Sequence, residues 1–102
     1  MSDYNGWSNY ETWCVSLWLL NDEGLYNATR ELTETARADV EAYGEGEPAW
    51  ELRRSLKAFC ESFPEVEAVQ SQASFVADLF GSAWGEVDWQ EIAENLLSEV
   101  NA

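Results

Sequence analysis

The sequence contains no histidine, and only five basic residues stand against twenty acidic ones. Without histidine the usual general base is gone, and so are the Ser-His and Cys-His nucleophile pairs and the commonest zinc ligand. Cysteine is scarce as well. Cys14 and Cys60 each sit among apolar residues at helical spacing, which reads as two small core side chains rather than a disulfide or a metal site. Long apolar runs are missing: the longest, from Trp13 to Leu20, is broken by Ser16 and falls well short of the ~18 residues a membrane span needs. The opening Met-Ser-Asp-Tyr-Asn has neither the basic nor the apolar region of a signal peptide, so a cytoplasmic protein is expected. No glycine-rich phosphate loop occurs. Asn21-Asp22-Glu23-Gly24 faintly resembles a calcium loop, but the alternating ligands before the glycine are missing and a helix start explains it better. No cofactor and no metal are expected. A carboxylate pair could in principle cleave glycosides, yet no pair has a spacing that twenty acids would not produce by chance, and the chain is read as a non-enzyme.

What is present is enough apolar material to fold. At 102 residues, 46% hydrophobic and 14% aromatic, the chain is expected to form a single domain over 1–102 around one core. The class predicted is all-α, with about five helices. Ser8-Asn9-Tyr10-Glu11 has the pattern of a capping box for a helix from about Asn9 to Leu20. That helix is apolar nearly all round, and this places it at the centre of the fold. Asn21 and Asp22 suit the start of a second helix reaching about Tyr43, with Leu25, Ala28, Leu32, Ala36, Val40 and Tyr43 on its stripe. Gly44 and Gly46 end it, in a stretch (44–47) that is the best candidate for a mobile loop. Pro48 suits a first helical position, and Leu52, Leu56, Phe59, Cys60 and Phe63 share one face before Pro64. A helical period continues from Glu65 to about Trp84, with a kink or a fresh start allowed at 71–74. Asp88-Trp89-Gln90-Glu91 is a second capping box, with Val87 and Ile92 spaced as a hydrophobic staple. Trp89, Ile92, Ala93, Leu96, Leu97 and Val100 follow as the last buried stripe. No alternation long enough for a half-buried strand is found.

Charge is distributed unevenly. Arg30, Arg37, Arg53, Arg54 and Lys57 all fall between positions 30 and 57, while residues 58–102 hold nine acids and no base. A chain of net charge −15 is repelled by DNA, RNA and anionic lipid unless Arg53, Arg54 and Lys57 form an isolated patch. These three are expected instead to pair with nearby acids, Glu61 among them. The candidate contact residues are Glu86, Asp88, Glu91 and Glu94 at the start of the last helix. Glu91 and Glu94 lie off the stripe of Ile92, Ala93, Leu96 and Val100, one turn apart, so their carboxylates repeat at about 5–6 Å, comparable to backbone phosphates. Such acids also keep an aromatic-rich protein soluble, or adapt it to high salt. Of the six tryptophans, Trp13, Trp18 and Trp89 fit core packing, whereas Trp7 and Trp50 are expected to be partly exposed and to serve as contact residues.

The run Gly6-Trp7-Ser8-Asn9-Tyr10-Glu11-Thr12-Trp13, with Leu17-Trp18-Leu19, Asn21-Asp22-Glu23-Gly24-Leu25-Tyr26 and the closing Val87-Asp88-Trp89-Gln90-Glu91-Ile92-Ala93-Glu94, resembles a group of short acidic proteins of bacteriophages and other mobile elements. The resemblance implies a small accessory protein acting on a host protein, and brings no functional residues with it. Joined to the charge, it leads to the expectation of a binding protein that inhibits a host nucleic-acid-handling (defence) protein by presenting an acidic surface to its basic groove. The alternative is an adaptor that binds through exposed aromatics, its acidity serving only solubility or salt adaptation.

Overall fold

The computed structural model describes residues 4–43 and 46–100, and among these it contains six helices and no strand. They are α1 (Tyr10–Asn21), α2 (Glu23–Tyr43), α3 (Pro48–Glu61), α4 (Pro64–Gln70), α5 (Phe75–Gly85) and α6 (Trp89–Val100). Gly44 and Glu45 of the expected loop lie outside the described residues, as do the side chains of Tyr43 and Val100. The sixth helix arises because the segment read as continuous from Glu65 divides at 71–74. Ser74 is extended and its hydroxyl accepts from the Ala77 N–H at 3.1 Å, a new N-cap where a kink or restart was allowed. Pro64 both ends α3 and opens α4 at its first turn.

The core is built on α3. Ala49, Leu52, Leu56 and Cys60 recur every three or four residues and are all buried, Leu52 and Leu56 completely. Helix α3 packs between α2 and α6, meeting Ile92, Ala93 and Leu96 of the latter, with Val87 and Trp89 closing one end. The sequence places α1 at the centre, but the central element is α3. A helix apolar nearly all round gives no periodicity to orient it, and the face α1 turns inward is Thr12, Ser16 and Leu19. Trp18, taken as core, is 65% exposed, and Trp13 is only half-buried. Trp89 is buried as expected.

Helix α2 repeats the pattern of small inward hydroxyls. Thr29 and Thr33 are buried along with Ala36, while Leu25, Ala28, Leu32 and Val40 are half-buried, so the inner stripe is shifted from the one the aliphatic residues suggest. Three of these four buried hydroxyls are satisfied within their own helix, Ser16 donating to the Thr12 carbonyl at 2.8 Å, Thr29 to Tyr26 at 2.8 Å and Thr33 to Thr29 at 2.7 Å, and the fourth, Thr12, is satisfied by the start of α6. Burial of these groups thus leaves no polar atom unpaired, and their small size lets backbones approach closely.

The starts of α1 and α6 are tied to each other. Asn5 and Gly6 adopt positive φ in a tight turn closed by the Trp7 N–H on the Tyr4 carbonyl at 2.9 Å, which delivers the chain to α1. The cap of α1 is Asn9 rather than Ser8: its Oδ1 accepts from the Thr12 N–H at 2.8 Å, and its Nδ2 donates to the Glu86 carbonyl at 2.7 Å. Ser8 reaches across instead, its N–H and hydroxyl both donating to the Glu91 carboxylate, at 3.2 and 2.7 Å. Asp88 caps α6 by accepting from the Glu91 N–H at 3.0 Å, and its own N–H donates to Thr12 Oγ1 at 2.8 Å. The capping box expected at Ser8 and Glu11 is therefore not formed, and that at Asp88 and Glu91 keeps only the Asp88 half, its other half replaced by bonds to Ser8 and Thr12.

Two stability measurements follow. Leu56→Ala should destabilise by about 2–5 kcal/mol in denaturant melts, and Trp18→Ala by less than about 1 kcal/mol. Thr12→Val keeps the shape but removes the acceptor of the Asp88 amide, and should cost about 1–3 kcal/mol; a neutral result would show that water replaces this bond.

Candidate functional site

The acids expected to form a contact surface are placed near one another by the turn into α6, but they are not equivalent. Glu86, Asp88 and Glu94 are exposed. Asp88 is occupied as the cap of α6, and Glu94 accepts from Gln90 Nε2 at 3.3 Å. Glu91 is half-buried and held by Ser8, so it is not free of the fold as its place off the apolar stripe suggests. Trp7, half-buried against the core, shares a shallow depression with Glu91 and Glu94. Trp50 stands elsewhere, on the outer face of α3, 45% exposed with the Arg54 guanidinium 4.8 Å from its ring centroid. Arg53 and Lys57 are exposed on the same helix. Among the described residues the one ion pair is Arg30 with Glu34, at 3.9 Å on the surface of α2, so the expected pairing of the α3 bases with acids is not found. Glu61, one turn beyond Lys57, instead accepts from Trp84 Nε1 at 3.0 Å.

A second surface was not read from the sequence. Helix α5 has no buried residue, and its Phe75, Val76 and Leu79 are 76%, 49% and 65% exposed. Its other side leans on the body through Trp84, which stacks with Phe80 at 5.0 Å and meets Trp89 edge-on at 5.3 Å. Trp84 also lines an apolar groove of about 260 Å³ with Cys14, Val15 and Trp18 of α1, Cys60 of α3, Phe63 and Val66. Glu65 is the one charged residue in its lining. The signal that could have revealed this surface is that Phe75–Gly85 carries a single charged residue, Asp78, with Ser82 as its one other polar side chain, and so has only a narrow polar stripe.

Neither cysteine is bonded to the other. Burial, and then the negative charge of Glu61, pushes the Cys60 thiol up to about 12, so it is neutral near pH 7 and is not an activated nucleophile. Because its folded value lies above the ordinary 9.0, the stability associated with the protonated thiol is complete below pH 9.0 and lost as pH rises toward 12. Cys60 should resist iodoacetamide in the folded protein at pH 8. Cys60→Ala should lose less stability than the parent between pH 9.0 and 12; equal losses would show that the thiol is already solvated.

Among the described residues no group of three or more Cys, Asp or Glu is placed to hold a metal ion, and no helix is long and apolar enough to cross a membrane. No curated protein and no solved structure matches the chain. Residues 1–101 match a family of unknown function (DUF7249), and with nearly its whole length covered the chain belongs to that family.

Proposed function

We propose that the protein is a non-catalytic binding protein that presents a folded acidic surface to the basic, nucleic-acid-binding surface of a host protein, such as a defence nuclease complex, and competes there with nucleic acid. The observation that carries this reading is a run of exposed acids without counter-charge. From residue 58 onward no Lys or Arg occurs, and Glu65, Glu67, Asp78, Glu86, Asp88 and Glu94 are exposed on or between α4, α5 and α6 without an ion-pair partner among the described residues. Such carboxylates repel one another in the free protein, and that repulsion is relieved by a basic partner. The resemblance to accessory proteins of mobile elements supports a host protein as the target.

The second reading, an adaptor binding through exposed apolar groups, is favoured by the uncovered side of α5 and by Trp18. Salt separates the two. Binding through the acids should weaken by more than about tenfold between 50 and 200 mM salt, and duplex DNA should displace the protein from its partner. Glu86→Lys with Glu94→Lys should abolish most of this binding without unfolding the chain, because neither carboxylate bonds across to another helix. A partner retained at high salt and indifferent to DNA would rule out mimicry and leave the apolar contact.

A further inference from the structure

We infer that the apolar groove between α1, α4 and α5 takes the apolar anchor side chains of a basic amphipathic helix. This rests on the reading that the partner is basic, and adds how that partner is gripped. The volume of the groove, about 260 Å³, lies below the ~300 Å³ at which pockets for small organic ligands begin, so it suits one or two inserted side chains rather than a cofactor. Trp18, Val66 and Trp84 give it apolar walls from three helices.

Charge selects the occupant. Glu65 lines the groove, Glu67 and Asp78 are exposed on the helices that border it, and no base occurs from residue 58 to the end of the chain. A helix that places apolar residues at i and i+3 or i+4 in the groove would set its other face against these acids, and Lys or Arg there would be complementary. A second copy of this chain is disfavoured, because it would bring another net charge of −15 against the same rim.

The probe is a labelled Leu/Lys peptide of about fourteen residues with leucines at helical spacing, compared with a scrambled peptide of identical composition that has no apolar face. Fluorescence anisotropy at physiological salt should show the ordered peptide binding at least about tenfold tighter than the scrambled one. Trp18→Ala and, separately, Glu65→Lys should each weaken the ordered peptide by about fivefold or more, and Trp18→Ala should leave the scrambled peptide unchanged. Both positions are exposed, so circular dichroism should show an intact helical fold, and two variants on different helices guard against loss of either. Equal binding of the two peptides would overturn the groove while leaving the acidic surface standing. Failure of both peptides to bind would overturn both readings. A stable dimer by sedimentation that Trp18→Ala dissolves would overturn the basic helix and make a second copy the occupant.

Discussion

The need of two helix starts for hydrogen-bond partners ties this fold together. A helix leaves its first N–H groups without partners inside the helix; here the Asp88 N–H at the start of α6 takes its partner from α1, and the residues leading into α1 bond back to the α6 segment. Asn9 caps α1 and holds the carbonyl of Glu86, Thr12 accepts from Asp88, and Ser8 donates twice to Glu91. These bonds complement an inner face on which two of the three buried residues, Thr12 and Ser16, are polar and one, Leu19, is apolar, with Val15 and Leu20 packing beside it. Fixing that face inward leaves Tyr10, Leu17 and Trp18 outward and turns Cys14 and Val15 toward the groove. The candidate binding surface is thus a consequence of how α1 is held.

Helix α5 is held differently. It has no buried residue, and its packing is mainly on α4, with Trp84 joining it to Glu61 and Trp89 of the body. An element anchored at one end, with few buried contacts, sits at the low-stability end of a structure, where binding elements are commonly found. The acids on α4, α5 and α6 add a second constraint, since mutual repulsion opposes any neutral cover and favours a cationic one. Apolar anchoring and acidic selection meet at the groove, where Glu65 stands in an otherwise apolar lining.

Much of the helix layout is legible in the sequence, and the orientation of the helices much less so. Pro48, Pro64, Asp88 and Ser74 mark starts by their own chemistry, and Leu52, Leu56 and Cys60 mark the core by period alone. Helix α1 was misplaced because apolar residues on every side carry no direction, and its true inner stripe is made of residues that read as polar. Thr29 and Thr33 on α2 were missed for the same reason. Glu91 looked free because pattern reports distance from the apolar stripe and not a bond to Ser8, eighty-three residues away in sequence. The clustered acids were visible, since charge sign needs no fold to be read. The groove was not, because it is assembled from α1, α2, α3, α4 and α5 and has no local signature.

The account turns on the bond by which α6 holds α1 in place, and native-state amide hydrogen exchange reads that bond directly. The Asp88 N–H, which donates to the fully buried Thr12, should exchange only through global unfolding, with protection equal to that of the Leu52 and Leu56 amides in α3. Amides late in α5 should exchange much faster, through local opening. An Asp88 amide that exchanges at the rate of a free chain while α3 stays protected would show that the two helix starts are not joined, and would contradict the placement of α1 on which the groove depends.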